Sequence, residues 1–192
     1  MDLHKIGFKI FAEQGSTVKL VEFIPVFHRW IQEKALGNLL IDVADYSHVR
    51  AGPGIVLVAH DGNYAIDETG NRRGLVYYSK HKLEGNFADR LVTVCRYALN
   101  ACKLLQGEQQ FTGRLNFPGR DFQFFFNDRL HAPNTDETHS ALQPGLNTFF
   151  EKLFSGTGYT LERNTDVKER YQVTVKTSEP VPMDTLLERI SN

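Results

Sequence analysis

Residues 39–80 read LLIDVADYSHVRAGPGIVLVAHDGNYAIDETGNRRGLVYYSK, and this stretch constrains the fold more than any other. Apolar segments at 39–44, 55–59, 63–67 and 74–79 alternate with clusters of Gly, Pro, Asn and Asp, the punctuation of a β-meander. Leu39, Ile41 and Val43 share one face of the first segment. The run 55–59 is almost continuously apolar, which predicts a strand buried on both faces. Ala51-Gly52-Pro53-Gly54 predicts a turn, and Asp61-Gly62 a tight hairpin in which glycine supplies a positive φ. Consecutive strands joined so closely pair antiparallel, so an antiparallel sheet is the natural outcome.

Around the meander the periodicity switches between two and 3.6. Residues 5–12 alternate, with Ile6, Phe8 and Ile10 against Lys5, Gly7 and Lys9. Phe23, Phe27, Trp30 and Ile31 fall at helical spacing, with Pro25 in the first turn and Leu36-Gly37-Asn38 as the stop, predicting a helix over 25–35. Asn86 caps a longer helix over 87–106, whose stripe is Phe87, Leu91, Val94, Ala98, Cys102 and Leu105. Strands are expected at 111–117 and 121–127, the second with Phe122, Phe124 and Phe126 on one face and Phe125 on the other. A polar loop over 128–137 leads to a helix ending near 154, with Pro144-Gly145 near its start. A hairpin at 159–163 and 171–177 follows, then a short helix carrying Met183, Leu186, Leu187 and Ile190.

The order β-α-β-β-β-β-α-β-β-α-β-β-α places the chain in the α+β class, an antiparallel sheet with helices mainly on one side. Its first part contains the split βαβ plan of ferredoxin-like units with an extra hairpin, and the part from about Asp121 repeats that plan without a last strand. The expectation is one compact domain over 1–192, or two ferredoxin-like halves in tandem at about 1–117 and 118–192.

The charge balance, 22 Lys and Arg against 23 Asp and Glu, gives no general attraction to nucleic acid or to an anionic membrane. No apolar stretch approaches the roughly 18 residues of a membrane span. Met1-Asp2-Leu3-His4-Lys5 leads into a strand rather than an apolar leader segment. Cys95 and Cys102, on one helix, stand about 10 Å apart along its axis, beyond disulfide reach. These features predict a cytoplasmic protein with reduced thiols. Fourteen phenylalanines against one tryptophan supply a large apolar payload. A sheet face carrying Phe122, Phe124 and Phe126, or Phe125 opposite, predicts a homodimer through a sheet face or edge.

No spacing matches a motif of established chemistry, so candidate residues rest on type and position. Asp42, Asp45 and His48 follow a D-x2-D-x2-H spacing, with His60-Asp61 beyond, and carboxylate with imidazole suits zinc, iron or manganese. Asp42 and Asp45 lie on opposite faces of a regular strand, so they converge only if the chain bends near Ala44. His60 is a candidate general base oriented by Asp45 or Asp61, with Tyr64 as proton donor. Asp61 also has a plain role in the turn, and His60 one as a half-exposed edge residue. Both cysteines read as core thiols, and Gly52-Pro53-Gly54 lacks the Lys-Ser/Thr of a phosphate loop. Trp30 reads as core, which turns His28 and Arg29 outward. The loop 128–139 has the length of a lid or of a plain connection.

These readings converge on a cytoplasmic module that binds a small-molecule ligand or a protein partner and forms homo-oligomers. Asp45, His48, His60, Tyr64 and His28 are its candidate ligand-binding residues. The competing reading is a metal-assisted hydrolase or lyase working through His48, His60 and neighbouring aspartates. The sequence assigns no cofactor.

Overall fold

The meander forms where the turn chemistry places it. A computed structural model of the protein describes Leu3 and residues 5–191; Met1, Asp2 and His4, on which the reading of the N-terminal segment partly rested, lie outside the described residues. The strands are β1 (Ile6–Phe11), β2 (Leu40–Tyr46), β3 (Gly54–Ala59), β4 (Gly62–Asp67), β5 (Gly74–Ser79), β6 (Asp121–Phe126), β7 (Tyr159–Arg163) and β8 (Gln172–Thr177). They form one sheet in the order β2-β3-β4-β5-β1-β6-β8-β7, with every neighbouring pair antiparallel. The helices are α1 (Phe23–Glu33), α2 (Phe87–Gly107), α3 (Asp136–Leu153) and α4 (Met183–Ser191). The class is α+β.

The first three helices join strands that are not neighbours in the sheet. A split βαβ unit joins two parallel strands through a helix and leaves a strand antiparallel to both between them; α2 joins β5 to β6 with β1 between, and α3 joins β6 to β7 with β8 between. Here α1 carries the chain from the central strand β1 to the far edge β2, and the meander returns until β5 pairs with β1. β1 also pairs with β6, so the sheet runs unbroken across residues 117 and 118.

Local expectations met different fates. The β3–β4 turn is His60-Asp61, and Gly62 is the first residue of β4. Its lack of a side chain serves space rather than φ: a Cβ there would lie 2.5 Å from the Tyr77 hydroxyl. Asn86 caps α2 as expected, its side chain accepting from the Asp89 N–H in a capping box. Residues 111–117 form no strand. The Phe111 carbonyl accepts from the N–H groups of Arg114 and Leu115, a turn that breaks extended pairing. Phe111, Leu115 and Phe117 are still buried, and their spacing mimicked strand alternation. α3 begins at Asp136 behind the Thr135 cap, so Pro144 falls in mid-helix rather than near the start. Gly145 beside it makes room for Phe87, whose Cδ1 would be 2.8 Å from a Cβ at that position.

The sheet has two unlike faces. Ile6, Phe8 and Ile10 point with Leu57, Tyr64, Tyr77, Phe122, Phe124 and Phe126 into the core beneath the helices. α1 contributes Phe23, Val26, Phe27 and Trp30, the i, i+3, i+4, i+7 stripe of an amphipathic helix. Each fully buried side chain of this size stabilises by about 1.5–3 kcal/mol. The opposite face carries a smaller cluster of strand residues alone, Val56, Ala65, Val76 and Phe125. No helix among the described residues is long and apolar enough to cross a membrane.

Candidate functional site

The five residues singled out from the sequence do not meet. Asp45 pairs with Ile55 at one end of β2 and β3, and His48 lies in the exposed turn just beyond. His60 closes the other end of β3, about 17 Å away at 3.3 Å per strand residue. Tyr64 is buried on the helix-facing side, where its hydroxyl donates to Asn38 Oδ1 at 3.0 Å. Burial pushes its phenol far above the usual range, which locks it in the neutral form. His28 is exposed on α1.

Local roles account for most of this set. The Asp45 carboxylate accepts from the Ser47 side chain and backbone N–H, which lowers its pKa, and His48 adds a weaker electrostatic pull. His60 Nδ1 does contact Asp61 Oδ1 at 2.7 Å, but the pair stands in solvent at a hairpin tip. Among the described residues no three His, Cys, Asp or Glu side chains gather as metal ligands. The set His48, His60 and neighbouring aspartates is therefore dispersed, which removes the geometry the hydrolase reading called for. Phe125, expected as a contact for a second subunit, is covered by Arg170 of the same chain.

The helix-free face gathers residues that the sequence alone left unremarked. Lys9 sits mid-strand in β1, on the face that the alternation assigned to solvent, yet it is only 2% exposed. Its stem crosses Gly74 of the next strand, where a Cβ would lie 2.7 Å from Lys9 Cε. The ammonium then donates to Asp67 Oδ2 at 2.5 Å and to the Arg72 carbonyl at 2.8 Å. Burial lowers the Lys9 pKa, while Asp67 pulls the other way. Arg72 pairs with Asp121 at 3.1 Å and lies 4.0 Å from the Phe11 ring centroid. Phe125 lies flat over Gly7, where a Cβ would come within 2.1 Å of its ring. The Arg170 guanidinium sits 3.5 Å from the Phe125 ring centroid and donates to Asn127 Oδ1 at 2.7 Å.

Beside this network lies a cavity of about 250 Å³. Ala65, Val76 and Phe125 give it an apolar lining, and Asp67, Thr69, Tyr78, Asn127 and Arg170 bring polar groups to it. Ala51, Gly52 and Pro53 of the β2–β3 loop form a further wall. Ala51 adopts φ +56°, a left-handed conformation unusual for a residue with a side chain. At Asp67 the carboxylate is fully engaged: Oδ2 takes Lys9, and Oδ1 takes the Thr69 hydroxyl at 2.6 Å and its N–H at 3.2 Å. Tyr78 accepts from Asn63 Nδ2 at 2.9 Å. An apolar floor with a few convergent polar groups is the usual make-up of a small-molecule site.

Two signals in the sequence pointed here. A lysine at the midpoint of an otherwise apolar strand is one, and Phe125 facing away from Phe122, Phe124 and Phe126 is the other. Neither names its partners, because Asp67, Arg72 and Arg170 come from distant segments. Comparison of the chain with protein-family models, with curated proteins and with solved structures finds no match.

Proposed function

We propose that this protein is a binding module for a compact organic ligand, held on the helix-free face of the sheet. The observation that carries the reading is the cavity over Ala65, Val76 and Phe125, rimmed by polar groups from separate stretches of the chain. Its volume, about 250 Å³, lies below the roughly 300–1,000 Å³ of pockets for drug-sized ligands, which argues for a small occupant. The free, buried thiols of Cys95 and Cys102 support a cytoplasmic setting. The test is a panel of neutral, cationic and anionic fragments followed by amide NMR. Shifts concentrated at Ala65, Val76, Phe125 and Arg170 are expected with at least one of them. A panel that leaves those resonances unmoved overturns the reading.

A specific observation also supports self-association. The edge strand β2 leaves Ile41 53% and Tyr46 43% exposed, and an apolar edge strand is a template for pairing. A second copy of the chain is the partner we propose, joined edge to edge through β2. Light scattering should give twice the chain mass at micromolar concentration, and Ile41→Lys should return the monomer. A monomer in the unaltered protein rejects the pairing.

A further inference from the structure

We propose that the ligand of this face is a small monocarboxylate with an apolar body, its carboxylate bound by Arg170. The inference rests on the binding reading above and narrows it to one chemical class. Charge bookkeeping on the face leads to it. Lys9 and Asp67 neutralise each other, as do Arg72 and Asp121. Arg170 is the cation left over: its one hydrogen bond among the described residues goes to the neutral Asn127 amide, and no carboxylate lies within ion-pair distance. Burial lowers its pKa, while Asp67 and Glu169 pull the other way from beyond ion-pair distance.

The neighbouring donors favour the same occupant. Tyr78 uses its oxygen to accept from Asn63, and its own proton has no acceptor among the described residues. A guanidinium presents N–H groups in a planar fork that matches a carboxylate, and the phenol proton adds another donor. Asp67, already saturated by Lys9 and Thr69, repels a second negative group, so one charge suits the cavity better than two. Ala65, Val76 and Phe125 leave the rest of the ligand an apolar surface. Inorganic phosphate would meet one cation and a floor it cannot use.

Calorimetric titration with benzoate, benzamide and inorganic phosphate tests the assignment on the unaltered protein. Benzoate should bind, with benzamide and phosphate each weaker by roughly tenfold or more, the usual scale for losing a charge-assisted hydrogen bond. Arg170→Gln should weaken benzoate by a similar factor and benzamide by clearly less. Equal binding of benzoate and benzamide overturns the carboxylate assignment and leaves the ligand site standing. Preference for phosphate overturns it too. If no fragment of any charge perturbs Ala65, Val76 or Phe125, the binding reading itself falls. The comparison of benzoate with benzamide needs no variant, so it decides the question even if Arg170→Gln does not fold.

Discussion

Lys9 reaches Asp67 across an intervening strand, its Nζ 2.5 Å from Oδ2, because the residue between them is Gly74. The side chains of Lys9 and Asp67 are 3% and 15% exposed, so this is an ion pair largely removed from water. Such a pair contributes little net stability over an apolar replacement, but losing one partner strands the other. Asp67→Ala should therefore cost about 3–5 kcal/mol. The double variant Lys9→Met/Asp67→Leu should recover most of that loss. Urea denaturation of the two variants gives the comparison, and a double variant as unstable as the single one would refute this account of the pair.

Gly7 is required by its neighbour rather than by its backbone. A Cβ there would meet the Phe125 ring at 2.1 Å, and its φ is not in the left-handed range. Gly7→Ala should destabilise by about 1–3 kcal/mol through overpacking. Adding Phe125→Leu should relieve part of the clash. Thermal unfolding of both variants measures this, with a neutral Gly7→Ala as the contrary result.

The buried tyrosines make the fold sensitive to alkali. Burial pushes the Tyr171 phenol up to about 12, against an opposing pull from Arg163. The unfolded phenol ionises at its ordinary value of 10. The folded state thus holds a proton that the unfolded chain gives up, and its contribution is whole below pH 10 and lost as pH rises toward 12. Tyr64 and Tyr77, raised further by burial, act in the same direction. Urea midpoints should fall steeply above pH 10, and Tyr171→Phe should make that fall shallower. An unchanged slope in the variant would exclude Tyr171 as a contributor.

Trp30, the one tryptophan of the chain, reports on the junction of α1 and the end of α2. Its Nε1 donates to Glu108 Oε1 at 2.9 Å, and Arg29 pairs with the other oxygen of that carboxylate. Glu108→Ala leaves a buried indole N–H without an acceptor, at a cost of about 1–3 kcal/mol. Glu108→Gln keeps an acceptor and should cost less. Denaturation followed by tryptophan fluorescence should rank the variants in that order; equal loss in both would mean the charge, not the acceptor, is what counts.

Reading order and face from the sequence succeeded where the cause was local. Alternation placed Ile6, Phe8 and Ile10 on the buried face of β1, and Asn86 marked the start of α2. It failed where burial imitated a local pattern: Phe111, Leu115 and Phe117 are inward-pointing residues of a loop, not a strand. The candidate residues failed to assemble for a related reason. Asp45, His48 and His60 are close in sequence, but an extended strand holds its two ends apart.

The sequence by itself determined every strand that forms (with one more expected at 111–117), the four α-helices, the antiparallel meander and the face that turns toward the helices. Those properties follow from side-chain period and turn chemistry within a few residues. The tertiary structure alone decided that β1 lies between β5 and β6, and with it the meeting of Lys9 with Asp67, 58 residues apart in the chain. It also decided that Arg170 covers Phe125 on a face that pattern assigns to solvent. Strand order depends on how the whole sheet buries its apolar surface, and no local spacing carries that information.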